Sequence, residues 1–136
     1  MIYTTYFAQL RNLPGNIIPV SICGKAPEWY KGLQYKKLAP KYDFFMEWKK
    51  THDNAYYVER FNAEVLAPLT ALRVVTELQT LLPEEVKAAM HSPFYSHPDV
   101  HIALVCYEKP GDFCHRNVVS QWLCDNGFEC KEWIKD

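Results

Sequence analysis

The chain lacks an apolar run long enough to cross a bilayer, and its beginning, "MIYTTYFAQL", lacks the charged start and long apolar centre of a secretory leader. Both absences point to a cytoplasmic protein with no membrane partner. Glycine is scarce, with five in 136 residues, and none of them builds a P-loop or a dinucleotide fingerprint. The glycine-rich loop and closing arginine of a cysteine phosphatase are missing as well. Charge of one sign is also lacking: the formal net charge is -1, which argues against an extended nucleic-acid footprint, because such footprints are held by many cations. The five cysteines, Cys23, Cys106, Cys114, Cys124 and Cys130, lack the close pairing of a zinc ribbon or finger. An odd set without that spacing reads as free thiols in a reducing compartment, with no disulfide framework expected.

What remains is an ordinary globular composition. The length suits one domain over residues 1–136 with a real core. From Lys25 to Lys50 seven lysines face Glu28, Asp43 and Glu47, a local excess of four positive charges interleaved with seven aromatic residues. Such a segment suits a phosphate-bearing ligand, but aromatics at this spacing more often pack inward with lysines at the rim.

"MIYTTYFA" and "NIIPVSIC" are rich in Ile, Val, Tyr and Thr between turn signals, and both predict strands. "KYDFFMEWKKT" predicts a helix from near Tyr42. In "NAYYVERFNAEVLA", Tyr57, Phe61 and Val65 recur every four residues, which predicts an amphipathic helix stopped by Pro68. Leu72, Val75, Gln79 and Leu82 suggest the face of another, and "LPEEVKAAM" a separate short helix opened by Pro83. "HSPFYSHPD" reads as a loop. "VHIALVCY" is almost continuously apolar, which suits a strand covered on both faces. Helices among buried strands imply an α/β fold: a small, mostly parallel sheet with flanking helices in a Rossmann-like three-layer arrangement.

The stretch "CYEKPGDFCHRN", residues 106–117, concentrates the chemistry. Asp112 is a candidate cap for a helix from about Phe113 to Asn126, with Gly127 as its left-handed stop. His115 then falls near the centre of the face carrying Val118, Val119, Trp122 and Leu123, flanked by Cys114 and Arg116. A loop from a buried strand's carboxyl end into a helix N-terminus is where open α/β sheets bind ligands, and the helix amides favour an anion there. Arg116 could grip phosphate, Cys114 could gain thiolate character, and Glu108 could act as acid or base. Each has a plainer reading. Cys106 suits a small core residue, His115 a core histidine bonded to a neighbouring strand, and Arg116 a tie to Asp112 or Glu108.

The sequence resembles the family catalogued as domain of unknown function 488, found in bacteria and phages. Its signature is an apolar strand ending in Cys-x-Glu, a short loop, and Cys-His-Arg opening a helix. Here "LVCYEKPGDFCHR" matches with Cys106, Glu108, Cys114, His115 and Arg116. "VSICGKAPEWYKGLQYKKLAP" is similar to the family's other familiar segment, and that resemblance implies that Lys25, Pro27 and Tyr35 lie near the same pocket.

The expected function is an enzyme acting on a nucleotide, a nucleic-acid base or another phosphate-bearing small molecule. Cys114 and Glu108 are the candidate catalytic residues, and His115, Arg116, Lys25 and Tyr35 the ligand-binding ones. No cofactor is called for. The alternatives are a non-catalytic phosphate-binding module at the same helix terminus, and a metal or thiol site built from Cys106, Cys114 and His115, perhaps with Cys23.

Overall fold

Strands form where branched and aromatic residues gather between turns, and the computed structural model, which describes residues 1–90 and 100–135, shows five of them. They are β1 (Ile2–Tyr6), β2 (Ile17–Ser21), β3 (Leu33–Gln34), β4 (His101–Cys106) and β5 (Cys130–Glu132). All pair in parallel, in the order β3-β2-β4-β1-β5. The helices are α1 (Tyr42–Thr51), α2 (Asn54–Phe61), α3 (Ala71–Thr80), α4 (Glu84–Met90) and α5 (His115–Asp125). The expected loop "HSPFYSHPD" lies outside the described residues. Among the described residues no helix is long and apolar enough to cross a membrane.

The layers follow from the hand of the connections. From β1 the chain moves toward one edge of the sheet to reach β2, and from β4 it moves toward the other edge to reach β5. Right-handed crossovers in opposite directions must leave the sheet on opposite faces. Side chains alternate accordingly. Ile2, Val20, Ile22, Ile102 and Leu104 join the large core with residues of α1, α2, α3 and α5. Phe7, Cys23 and Val105 join a smaller cluster with Tyr30, covered by the 3-10 turn Phe7–Asn12 and the loop after β2. The result is a three-layer α/β arrangement with the heavier helical layer on one side.

Pro19 lies inside β2, opposite Ala103. A proline is tolerated there because β3 pairs only Val20 and Ser21, so no ladder bond is lost on that side. The Pro19 carbonyl instead accepts a hydrogen bond from the Tyr30 hydroxyl at 3.3 Å.

Three details differ from the sequence reading. The buried face of α3 is Ala71, Val74 and Leu78, while Leu72 is exposed. Thr70 caps the helix by accepting from the Arg73 amide, and this start fixes a rotation that apolar spacing alone did not. The predicted helix over 54–67 turns into a π-turn at Asn62–Leu66 while keeping Tyr57, Phe61 and Val65 inside. Finally, α5 starts at His115 with Cys114 as its N-cap, not at Phe113 with Asp112. The Asp112 amide is already bonded to the Lys109 carbonyl in a turn that uses Gly111 at φ 96°. Gly127, at φ 87°, ends the helix as expected.

A buried crevice at the strand ends as the candidate functional site

Because the connections after β1 and β4 leave on opposite faces, the carboxyl ends of these neighbours form a topological switch point, the place where parallel α/β sheets bind ligands. β4 delivers Cys106 and then Glu108 to it, α5 delivers Cys114, His115 and Arg116, and the end of β2 delivers Cys23.

Arg116 is completely buried. Its Nε and one terminal nitrogen donate to the two carboxylate oxygens of Glu132, each at 3.1 Å. The other terminal nitrogen donates to the Glu108 backbone carbonyl and, at 3.3 Å, to the Cys106 sulfur. The Tyr6 ring lies beneath the guanidinium, 5.7 Å from its centroid, and Thr4 adds a 2.7 Å hydrogen bond to Glu132. The tie is therefore to Glu132 on β5, not to the side chains of Asp112 or Glu108. A guanidinium so fully occupied holds α5, β4 and β5 together and is not presented to a ligand.

His115 follows the plainer of its two readings. Its Nε2 lies 2.9 Å from the Ile22 carbonyl and must carry the proton of that bond, since a carbonyl only accepts. Nδ1 then faces the Cys114 sulfur at 4.0 Å. Burial, helped by the Arg116 charge, pushes the imidazole pKa down to about 4 even though the bond to Ile22 favours the charged form.

The expectation of five free thiols does not hold. Cys106 and Cys114, eight residues apart, are joined as a disulfide, and Cys23, Cys124 and Cys130 remain free. Spacing in the sequence gave no sign of this pairing. It arises because the loop after β4 doubles back, setting the cap of α5 beside the strand end. Cys114 is consequently a nucleophile only when this bond is open. Cys23 keeps its thiol but not its reactivity, since burial and then the nearby Glu108 charge push its pKa up to about 12.

Glu108 differs from its neighbours. It is half-buried, and among the described residues no hydrogen bond or ion pair reaches its carboxylate. Its charge nevertheless adds to burial in raising the pKa of Cys23, Tyr57 and Tyr107. Tyr57 meets Phe113 edge to face at 5.0 Å, and Tyr107 meets Phe7 at 5.0 Å.

Lys25 is exposed, and its carbonyl accepts from the Tyr107 hydroxyl at 2.6 Å. Tyr35 is not brought to this group. Its hydroxyl donates to Glu77 of α3 at 2.6 Å, beside Lys37, which also bonds that carboxylate. The basic segment divides similarly: Tyr30, Tyr35 and Phe44 are buried, while Trp29 and Tyr42 are exposed. The sequence reading missed Glu132 altogether, and it treated Tyr57 as core alone.

Fold and site together define a parallel α/β protein with a cluster of cysteines, a histidine and a carboxylate at its strand ends. The chain belongs to the DUF488 family: residues 6–127 match the family DUF488-N3a, described as the active DUF488-N3 subclade. No curated protein and no solved structure matches it.

Proposed function

We propose that the protein is an enzyme acting on a nucleotide, a nucleic-acid base or another phosphate-bearing small molecule, with Glu108 as the acid–base group. The observation that carries this reading is the Glu108 carboxylate, half-buried and without a hydrogen-bond or ion-pair partner among the described residues, just beyond the carboxyl end of β4. A carboxylate with no partner has both oxygens available to exchange a proton with a bound ligand, which is what general acid–base catalysis requires. The surroundings suit a base carrying phosphate. A cavity of about 370 Å³ on the same side is lined by Phe7, Ala8, Leu10, Arg11 and Trp29, offering exposed aromatic surface and a cation together. Lys25 adds a second exposed cation nearby. The first turn of α5 carries no acidic side chain to repel an anion.

The test is a panel of nucleotides, nucleosides and sugar phosphates incubated with reduced wild type and with Glu108→Gln, followed by mass spectrometry of the small molecules. Turnover of at least one compound, reduced by about 10²- to 10⁴-fold in the variant at unchanged melting temperature, is the expected result. Binding without turnover in wild type would support the phosphate-binding module instead. Neither binding nor turnover across the panel would end the proposal.

A further inference from the structure

We propose that, in the reduced protein, Cys106, Cys114 and His115 form a binding site for a soft divalent metal ion, with zinc the natural occupant. This goes beyond the enzymatic reading, which rests on Glu108 and needs no metal. Three donor atoms, the two sulfurs and a ring nitrogen of His115, all lie within 4.8 Å of one another, and all three residues are buried. Two thiolates and an imidazole are a donor set that zinc takes in tetrahedral geometry, with the fourth position left to water or a substrate atom.

The orientation of His115 is the second, independent observation. Metal-bound histidines characteristically donate their other ring N–H to a fixed acceptor, which sets the tautomer and aims the lone pair. Here Nε2 bonds the Ile22 carbonyl at 2.9 Å, leaving Nδ1 turned toward Cys114. The Nδ1 to Cys114 sulfur separation of 4.0 Å is close to the roughly 3.6 Å edge that zinc–ligand bond lengths give a tetrahedral site. Arg116 supplies the outer contact to the other sulfur, an N–H donor 3.3 Å from Cys106, of the kind a metal-bound thiolate accepts. The charges also balance: two thiolates offset the ion, and Glu132 already offsets Arg116.

Burial decides between this role and thiol exchange with another protein. Cys106 is 0% and Cys114 3% exposed, so a partner thiol has no line of attack, whereas a single ion needs little room. The disulfide and the metal site are two states of the same sulfurs. Opening the bond takes two electrons and two protons; a phosphine supplies the electrons and leaves as its oxide, its oxygen drawn from water. Metal binding then expels the two thiol protons.

The experiment uses the full chain unfolded in urea, where a water-soluble phosphine reaches the buried sulfurs, then refolded under argon free of reductant and titrated with Co²⁺, then with Zn²⁺. One equivalent of Co²⁺ with thiolate-to-cobalt charge-transfer absorption, displaced by one equivalent of Zn²⁺, is expected. Cys114→Ser and Cys106→Ser should lose that absorption, while Cys124→Ser and Glu108→Gln keep it. X-ray absorption of the zinc-loaded wild type guards against variants that misfold, and should show at least two sulfur neighbours at about 2.3 Å. Oxygen and nitrogen neighbours only, equal binding by the oxidised protein, or charge-transfer absorption that survives Cys114→Ser would each overturn the proposal. Loss of metal binding with turnover intact would remove this site alone and leave the role of Glu108 standing.

Discussion

At the scale of single residues, the pair Arg116 and Glu132 dominates. A guanidinium with 1% side-chain exposure is tolerable only while its partner is in place, so removing one member costs far more than the pair itself contributes. Glu132→Gln should therefore destabilise the protein by about 3 kcal/mol or more in urea unfolding. Arg116→Lys should do comparable damage despite keeping the charge, because a lysine cannot reach Glu132, Cys106 and the Glu108 carbonyl at once. Near-additive losses in the double variant would contradict the clamp. Cys23 allows a test of the charge around Glu108. A thiol pushed to about 12 has about a thousandth of the thiolate of one at 9, so near pH 8 Cys23 should react with iodoacetamide far more slowly than exposed Cys124. Deleting a neighbouring negative charge lowers a thiol pKa, hence Glu108→Gln should accelerate labelling of Cys23 and not of Cys124. Equal rates in wild type and variant would separate Glu108 from Cys23.

At the scale of elements, caps govern what periodicity leaves open. Asp53 precedes α2 and accepts from the Tyr56 amide at 3.1 Å, so Asp53→Ala should cost about 1 kcal/mol in urea unfolding with the crevice unaffected. Strand β4, legible as a continuous apolar run, lies at the centre of the sheet, and β1, β2, α1 and α4 stand where composition and turn residues placed them. The short strands β3 and β5 were not legible, because two or three residues give no period to read. The same limit hid the site's key pairing. Arg116 stood out as an ionisable group on an inward face, but its partner lies on β5, and only the register that sets Glu132 beside Thr4 brings it within reach. Likewise, "CHR" marked Cys114 as chemically interesting, while its bond to Cys106 depends on how the loop returns.

At the scale of the molecule, the clamp has a consequence for the order in which the protein is built. Thr4 and Glu132 are 128 residues apart in sequence, so the carboxylate that neutralises Arg116 reaches β1 only after all the residues between them have been made. Contacts over such distances form late, since loop closure precedes their reward, and chains emerge from the ribosome amino end first. Arg116 and Glu132 are only 16 residues apart, but the docking of β5 on β1 that buries their pair waits on the long-range contact. Glu132→Gln should accordingly leave the refolding rate almost unchanged and speed unfolding, the signature of an interaction absent from the transition state. Stopped-flow fluorescence of wild type and variant reads both limbs, and slowed refolding with unchanged unfolding would mean that β5 docks early. With late docking, the buried charge pair is sealed only when the edge strand β5 takes its place beside β1.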